Sequence, residues 1–524
     1  MQTAPLPPPY KGENNQLPQI AVQSPFCEKM YNFNNIDGSL NLRQGHSIFA
    51  AKNQVGIAPL NISSYDASTP LLFAMVGYGG DLYWYDITAG AFGAAAHTLA
   101  AAGDDEIHTL YFNGYLFYFG ESALTPASTG PQVYNGTVWG TSGLTWPASF
   151  VPFGGNVHKN RAYFIDRLTG DYGYSELDSP NSGTVTRVSL SSLVFNKTVL
   201  FGIRSISMSE NVTQENVQSF IMGNGEIFVY SGSYPGSVAT WQLISRFRVS
   251  KVLYQNAIVD AKGDSFLLTE TEILSLRNLF VSGYDAEKAE GIGAPFKNRW
   301  RQIVRGLLNS ADSYRYLIKG VYDEAKDRLI ISLPRYVDPD TGTVSGTKVF
   351  QVLYDFTLGA WYEYIQNDGS VAYTASACYF SGSPYVFSSS TSYASVFKLE
   401  GKTNFLDDQT AGGSPTGIIY QMRTAPLPIS KYGANSIEGV EILSTSDLYP
   451  QTNYKFVADL GRQTTGAQPL VAQGTTIAKP MANVGVQSAT TVQLDVSGTS
   501  VSATTGLKIF GFNVWYNTGP EGAR

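Results

Sequence analysis

The sequence predicts a mainly β protein: a β-propeller with an additional β-rich platform domain and one short helical insertion. Three observations predict it. A motif recurs, because Tyr85-Asp86-Ile87-Thr88-Ala89-Gly90-Ala91-Phe92 matches Tyr354-Asp355-Phe356-Thr357-Leu358-Gly359-Ala360-Trp361 at five of eight positions, with an aromatic closing both. A Tyr-Asp pair ending a strand, a short turn and a bulky aromatic suit a propeller blade: the Asp can accept backbone N–H bonds in the turn, and the aromatic packs between neighbouring sheets. From about 46 to 400, short apolar runs alternate with turn residues at hairpin spacing. The composition agrees, with 52 Gly, 13% aromatic residues and only 15% charged residues, against roughly 25% charged in typical soluble domains.

At 524 residues the chain has length for two or three domains, or for one repeat fold with an appendage. The net charge of −7 gives no overall basic character by which to grip nucleic acid. Two cysteines, Cys27 and Cys378, are too few and too far apart for a disulfide framework or a zinc site. Met1 to Tyr10 lacks the basic start and apolar core of a signal peptide, and the Ala-rich Ala89 to Ala102 is interrupted by His97 and too short to span a bilayer. The expectation is a soluble protein with no membrane span, made in a cytoplasm.

In order, residues 1 to 25 are rich in Pro, Asn and Gln, and predict an extended arm of the kind that often reaches onto a neighbour. Asn34-Asn35-Ile36-Asp37-Gly38 makes a turn before the alternating strand Ser39 to Arg43. Hairpins follow. Leu71 to Val76 pairs with Leu82 to Tyr85, Thr109 to Phe112 with Tyr115 to Phe119 around Asn113-Gly114, and Ser219 to Met222 with Ile227 to Tyr230. Phe266 to Thr269 with Ile273 to Leu276, Val321 to Pro334, Val349 to Tyr364, and Tyr385 to Phe387 with Val396 to Leu399 continue the series. Between Ala286 and Leu308 the period changes, and Trp300, Ile303, Val304 and Leu307 recur at helical spacing after Pro295. Lys297, Arg299, Arg301 and Arg305 make this helix basic; it either faces a partner or channel, or packs on the propeller with a solvated basic face. Lys402 to Thr416 reads as a polar linker. Strand-forming stretches at Gly417 to Leu443, Asn453 to Leu460, Thr491 to Val496 and Leu507 to Tyr516 then predict a closing β domain with a long loop around Thr464 to Gln487.

Chemical motifs are scarce. His46, His97, His108 and His158 form no metal-ligand spacing, and there is no nucleophile elbow, Walker loop or dinucleotide fingerprint. Gly77-Tyr78-Gly79-Gly80 sits between strands as a hairpin, Asp104-Asp105-Glu106 near His108 reads as a solvated loop, and Asp338-Pro339-Asp340-Thr341-Gly342 reads as a turn and not a calcium loop. No catalytic, cofactor-binding or metal-binding residue is assigned. Paired carboxylates distant in sequence stay open, because only geometry reveals them.

The opening PPPYKGENNQLP, the NFNNIDGSLNLRQG segment, the VYDEAKDRLIISLP and VLYDFTLGAWYEY hairpins and the closing IFGFNVWYNTG strand resemble, in style and order over nearly the whole chain, the β-propeller tail nozzle or tail-hub proteins of short-tailed bacteriophages. That family is also called tail tubular protein B or packaged-DNA stabilisation protein. The resemblance implies a structural virion protein, assembled in the host cytoplasm and located in the phage tail, without enzymatic activity or cofactor. It implies a homohexameric ring that extends the DNA channel below the portal and tail adaptor, retains packaged DNA, touches viral double-stranded DNA transiently during ejection, and docks tail fibres or spikes. It also implies a platform assembled from both chain ends, and hence the division 1–45 (N-terminal arm and first strand, joining the platform), 46–404 (β-propeller) and 405–524 (C-terminal β-rich platform). A net-negative, sparsely charged surface suits a conduit, since a basic lining would bind phosphates.

Two other classes compete. A carbohydrate-binding or glycoside-hydrolysing propeller would use exposed aromatics and a carboxylate pair, whereas Trp84, Trp139, Trp146, Trp241, Trp300, Trp361 and Trp515 are scattered in a way that suits packing. An intracellular interaction scaffold is compatible with the same features.

Overall fold

The structure, a computed structural model, describes residues 2–6, 8–9, 11–14, 26–36, 38–53, 58–65, 70–78, 81–88, 91–99, 107–120, 131–195, 198–210, 213–282, 291–309, 317–346, 348–367, 371–390, 393–409, 414–428, 435–444, 452–458, 463–464, 468–469, 477–478, 491–500 and 506–518. Gly79-Gly80, Ala89-Gly90, Asp104-Asp105-Glu106, residues 286–290 of the helical insertion and most of Thr464 to Gln487 lie outside the described residues.

The described strands form a propeller of seven blades, each opening with an innermost strand: Ala58–Tyr65, Ile107–Phe112, Pro152–His158, Leu200–Glu210, Ile258–Ala261, Lys319–Asp323 and Val371–Phe380. Neighbouring blades touch all the way round, and Val371–Phe380 of blade 7 returns to Ala58–Tyr65 of blade 1. The ring closes in a specific way. The fourth strand of blade 7 is Ser47–Asn53, from the N-terminal side of blade 1, paired antiparallel with Tyr393–Lys398. A chain segment from before the first blade thus joins the last, so opening the ring requires breaking a strand pair.

Four blades share one turn between their first two strands. Asn113-Gly114, Lys159-Asn160, Lys262-Gly263 and Ser381-Gly382 all have positive φ at both central positions, the two-residue hairpin geometry that matches strand twist.

The apolar core is divided among the blade interfaces. Phe73, Trp84, Leu116 and Tyr118 pack between blades 1 and 2, with Trp84 stacked on Trp139 at 5.0 Å. Phe117 and Phe164 meet between blades 2 and 3, and Tyr163 stacks on Trp241 between 3 and 4. Ile206 and Leu267 share the core between 4 and 5, and Phe266 and Leu329 that between 5 and 6. Leu353 with Val386, and Ile62 with Phe387, lie in the last two interfaces. The abundance of aromatics follows from this: large flat side chains fill the wedge between twisted sheets and gain edge-to-face contacts.

Blade 5 has only three described strands. The helix Lys297–Asn309 packs beside it, burying Trp300, Ile303, Val304 and Leu307, and the Trp300 indole N–H donates to the Thr269 carbonyl at 2.8 Å. The basic-face expectation needs correction at two positions. Arg299 lies inside the protein, paired with Glu363, and Lys297 pairs with Glu272 at 2.8 Å.

The fourth strand of blade 6, Ala360–Asn367, continues into a second body. It pairs in parallel with Cys27–Tyr31, which pairs with Ile419–Thr424, followed by Thr491–Thr499 and Asn453–Ala458. A second sheet carries the hairpin Phe33–Ile36/Ser39–Leu42, Lys508–Thr518, Asn435–Ser444 and Gln2–Leu6. The two sheets share one core that includes Met30, Phe33, Leu42, Tyr420, Phe456, Leu494 and Phe512. Both chain ends therefore build the same body, and the first residues of the arm, Gln2–Leu6, run as a strand beside Lys508–Thr518. The polar stretch Lys402 to Thr416 is not simply a linker either: Leu406–Asp407 pairs with Thr416–Gly417 and Asp407 is buried.

Candidate functional site

Three polar clusters lie inside this framework. The largest joins propeller to platform and lines a cleft of about 690 Å³. The hairpin Lys319–Asp323/Arg328–Leu333 of blade 6 delivers Arg328 to its centre. Arg328 donates to Glu400 at 2.6 Å, Asp323 at 3.1 Å and the Tyr364 hydroxyl at 2.9 Å, while Lys326 reaches Glu400 at 2.6 Å. Asn34 of the platform hairpin donates to Glu400 at 2.7 Å and accepts from the Tyr364 hydroxyl. Burial works to raise the Glu400 pKa, but Arg328 and then Lys326 outweigh it and hold the carboxyl well below the usual range. Burial would depress Arg328 in turn, but Glu400 and its other partners hold it well above the ordinary arginine value.

Beside it, Arg43 grips Asp407 with two bonds of 2.7 and 2.6 Å and Asn32 with a third at 2.8 Å. Asp407 also accepts the His46 amide at 2.8 Å, and the His46 Nδ1 accepts the Glu400 amide at 3.0 Å. That bond leaves the ring proton on Nε2. Burial, and next Arg43, lower the His46 pKa to about 3, so the ring is neutral at physiological pH. Residues 32–46, blade 6, the end of blade 7 and the strand Leu406–Asp407 are thus tied by charge-assisted bonds, which are roughly twice as strong as neutral ones. Such a joint resists bending.

A second cluster holds the N-terminal segment against blade 6. Gly12 has φ +68°, and a Cβ there would stand 2.3 Å from the Trp361 carbonyl oxygen; the Glu13 amide donates to that oxygen at 3.1 Å. The Glu13 carboxylate accepts the Met30 amide at 2.6 Å. Arg299 binds Glu363 at 2.5 and 3.2 Å, and the same cavity of about 300 Å³ is lined by Glu13, Glu28, Lys29 and Asp340. Burial, then the neighbouring Glu363, raises the Glu13 pKa well above normal. Two carboxylates distant in sequence do meet here, invisible to sequence reading, but Glu363 is committed to Arg299 and Lys29 to Asp340.

The third cluster is the propeller axis. Near the start of the innermost strands, six parts of the chain line a cavity of about 140 Å³: Asn61, Thr109, Gly154, Arg204, Gln255 and Lys319.

Of the histidines, His46, His108 and His158 are buried and lie in different parts of the fold. Among the described residues no three His, Cys, Asp or Glu side chains form a metal-holding group. Asp338 caps its own turn, accepting the amides of Asp340 and Thr341 at 2.9 Å each. Of the repeated Tyr-Asp pairs, Asp355 accepts the Leu358 amide at 2.9 Å in its turn, whereas Asp86 lies within a strand and its Oδ1 has no hydrogen-bond partner among the described residues. Among the described residues no helix is long and apolar enough to cross a membrane.

No family model and no curated protein matches the chain. Solved structures similar to it include YCF48 bound to D1 peptide, at 10% identity, covering 68% of this chain and 97% of that one with a TM-score of 0.38. The β-propeller domain of Cps50 (Swd1) from Myceliophteria thermophila matches at 8% identity, covering 70% and 99% with a TM-score of 0.37. An exo-β-1,3-galactanase from Phanerochaete chrysosporium matches at 10% identity, covering 78% and 95% with a TM-score of 0.28. Nothing these proteins bind or cleave is carried over to this chain.

Proposed function

We propose that this chain is a structural subunit of a ring-shaped tail nozzle of a short-tailed bacteriophage, extending the DNA channel below the portal and adaptor, retaining packaged DNA and docking fibres or spikes. The observation that carries the reading is the interleaving of the two chain ends. Gln2–Leu6, Cys27–Tyr31 and Phe33–Leu42 share sheets with strands beyond residue 415, so the propeller is an insertion within one platform. An inserted propeller has two covalent connections to its platform, and here the Arg328–Glu400 and Arg43–Asp407 pairs brace both. This suits a part that transmits load between an adaptor above and appendages at its side. The sparse, net-negative charge supports a conduit that lets DNA pass.

The test is location. Mass spectrometry of purified phage particles should find the chain in fixed ratio to the portal protein, and antibody labelling should mark the tail in electron micrographs. Absence from particles, or label on the capsid shell alone, would refute it.

A further inference from the structure

The axial cavity is built from separate blades, yet its polar groups converge. Lys319, at the start of the innermost strand of blade 6, donates to the Asn61 side-chain oxygen at 3.3 Å and to the Ile62 carbonyl at 3.2 Å. An ammonium has three protons, so one is left to face the cavity. Among the described residues no carboxylate pairs with Lys319, an unfavourable arrangement for a half-buried cation. Arg204 uses two of its five N–H groups on the carbonyls of Ile203 and Ile258, at 2.9 and 3.1 Å. Among the described residues its one carboxylate partner is Asp260, at 3.3 Å and mostly exposed. The cavity is therefore a positive spot at the centre of a net-negative protein.

Two further features say what would fit. The Gln255 side-chain oxygen is buried and has no hydrogen-bond partner among the described residues, so the site also contains an acceptor that wants an O–H. Gly154, with φ +93°, leaves the space next to that oxygen open; a Cβ there would lie 3.5 Å from it and 3.3 Å from the His108 Cβ. The volume of about 140 Å³ far exceeds the 10–15 Å³ that roughly one water needs.

We infer that the axial cavity is a binding site for a small protonated oxyanion of the hydrogen-phosphate class, with Lys319 and Arg204 balancing its charge, Thr109 on its wall, and Gln255 accepting its O–H. This goes beyond the nozzle reading and does not depend on it. A tetrahedral anion contacting blades 2, 4 and 6 and the turn Gln255–Ala257 that leads into blade 5 would hold the ring together from the inside. Inorganic phosphate is distinguished from the phosphates of a duplex by size, because a double helix cannot enter the cavity.

The experiment is equilibrium dialysis and thermal unfolding of the full chain with inorganic phosphate, with sulfate and with a short DNA duplex at matched ionic strength. The expected result is saturable binding of one phosphate per chain with a rise in melting temperature, at least tenfold weaker for sulfate and absent for the duplex. Lys319→Met should fold, because it removes a half-buried cation that has no carboxylate partner among the described residues, and should bind no phosphate; Thr109→Val should fold and bind more weakly. Absence of phosphate binding by the folded wild type, or equal binding by Lys319→Met, would overturn the site. Equal affinity for sulfate would overturn the role given to Gln255.

Discussion

Replacing Arg328 with Met tests the joint between propeller and platform. Met keeps much of the apolar stem and removes the guanidinium, leaving Glu400 and Asp323, both almost fully buried, without their main counter-charge. Stripping one partner from a buried ionic network costs about 3–5 kcal/mol, a large share of the roughly 5–15 kcal/mol that stabilises a typical domain. Lys326 still reaches Glu400, but it is half exposed and replaces only part of the loss. The pH dependence follows from the sign of the Glu400 shift. Its folded pKa lies below the ordinary 4.5, so its stabilisation is present above that value and is lost as pH falls through the folded pKa. The variant lacks this term, and the difference from wild type should be greatest at neutral pH and shrink in acid. Urea unfolding followed by tryptophan fluorescence at both pH values measures it, and the Arg328→Met/Glu400→Gln double variant should cost less than the sum of the single ones. A loss below about 1 kcal/mol at neutral pH, or strict additivity, would refute the network as a brace.

Other perturbations have equally definite outcomes. Gly12→Ala should destabilise by more than about 1 kcal/mol, because its positive φ and the Trp361 carbonyl leave no room for a Cβ; limited proteolysis should then cut the N-terminal segment first, and an unchanged digest would contradict the contact. His46→Gln should flatten the fall in stability between about 6.5 and 4.5. The neutral folded ring, with its pKa near 3, disfavours folding once the unfolded ring protonates below 6.5; parallel pH titrations of unfolding free energy would check it, and an unchanged slope would exclude His46 as the source. The phosphate titration of wild type against Lys319→Met completes the set.

Much of the fold was legible because hairpins are local. The Asn113-Gly114 turn, the Ser219–Tyr230 and Phe266–Leu276 pairs and the helix carrying Trp300 all occur as strands, turns and helix at those positions, since period and turn chemistry act within a dozen residues. The Lys159-Asn160 and Ser381-Gly382 turns share the Asn113-Gly114 geometry but were missed, because Lys and Ser are not positive-φ residues by preference. The repeated Tyr-Asp motif does fall at the same place in two blades, before the fourth strand, yet the turns differ: Thr88 pairs with Ala91, whereas Asp355 pairs with Ala360 across a longer turn. What no sequence window carries is long-range pairing. Arg43 with Asp407 is separated by 364 residues, and Ser47–Asn53 closes a blade formed by Val371–Lys398. The axial cavity was invisible for the same reason: its groups come one per blade.

Ring assembly separates a nozzle subunit from a monomeric propeller. Mass photometry and negative-stain electron microscopy of the purified chain, alone across a range of concentration and then with a phage portal–adaptor complex, would show whether it forms rings. A nozzle subunit should give closed rings of about six subunits around an open channel, formed at the latest on the adaptor. Chains that stay monomeric even with the adaptor, or that assemble into a body with no axial opening, would contradict it.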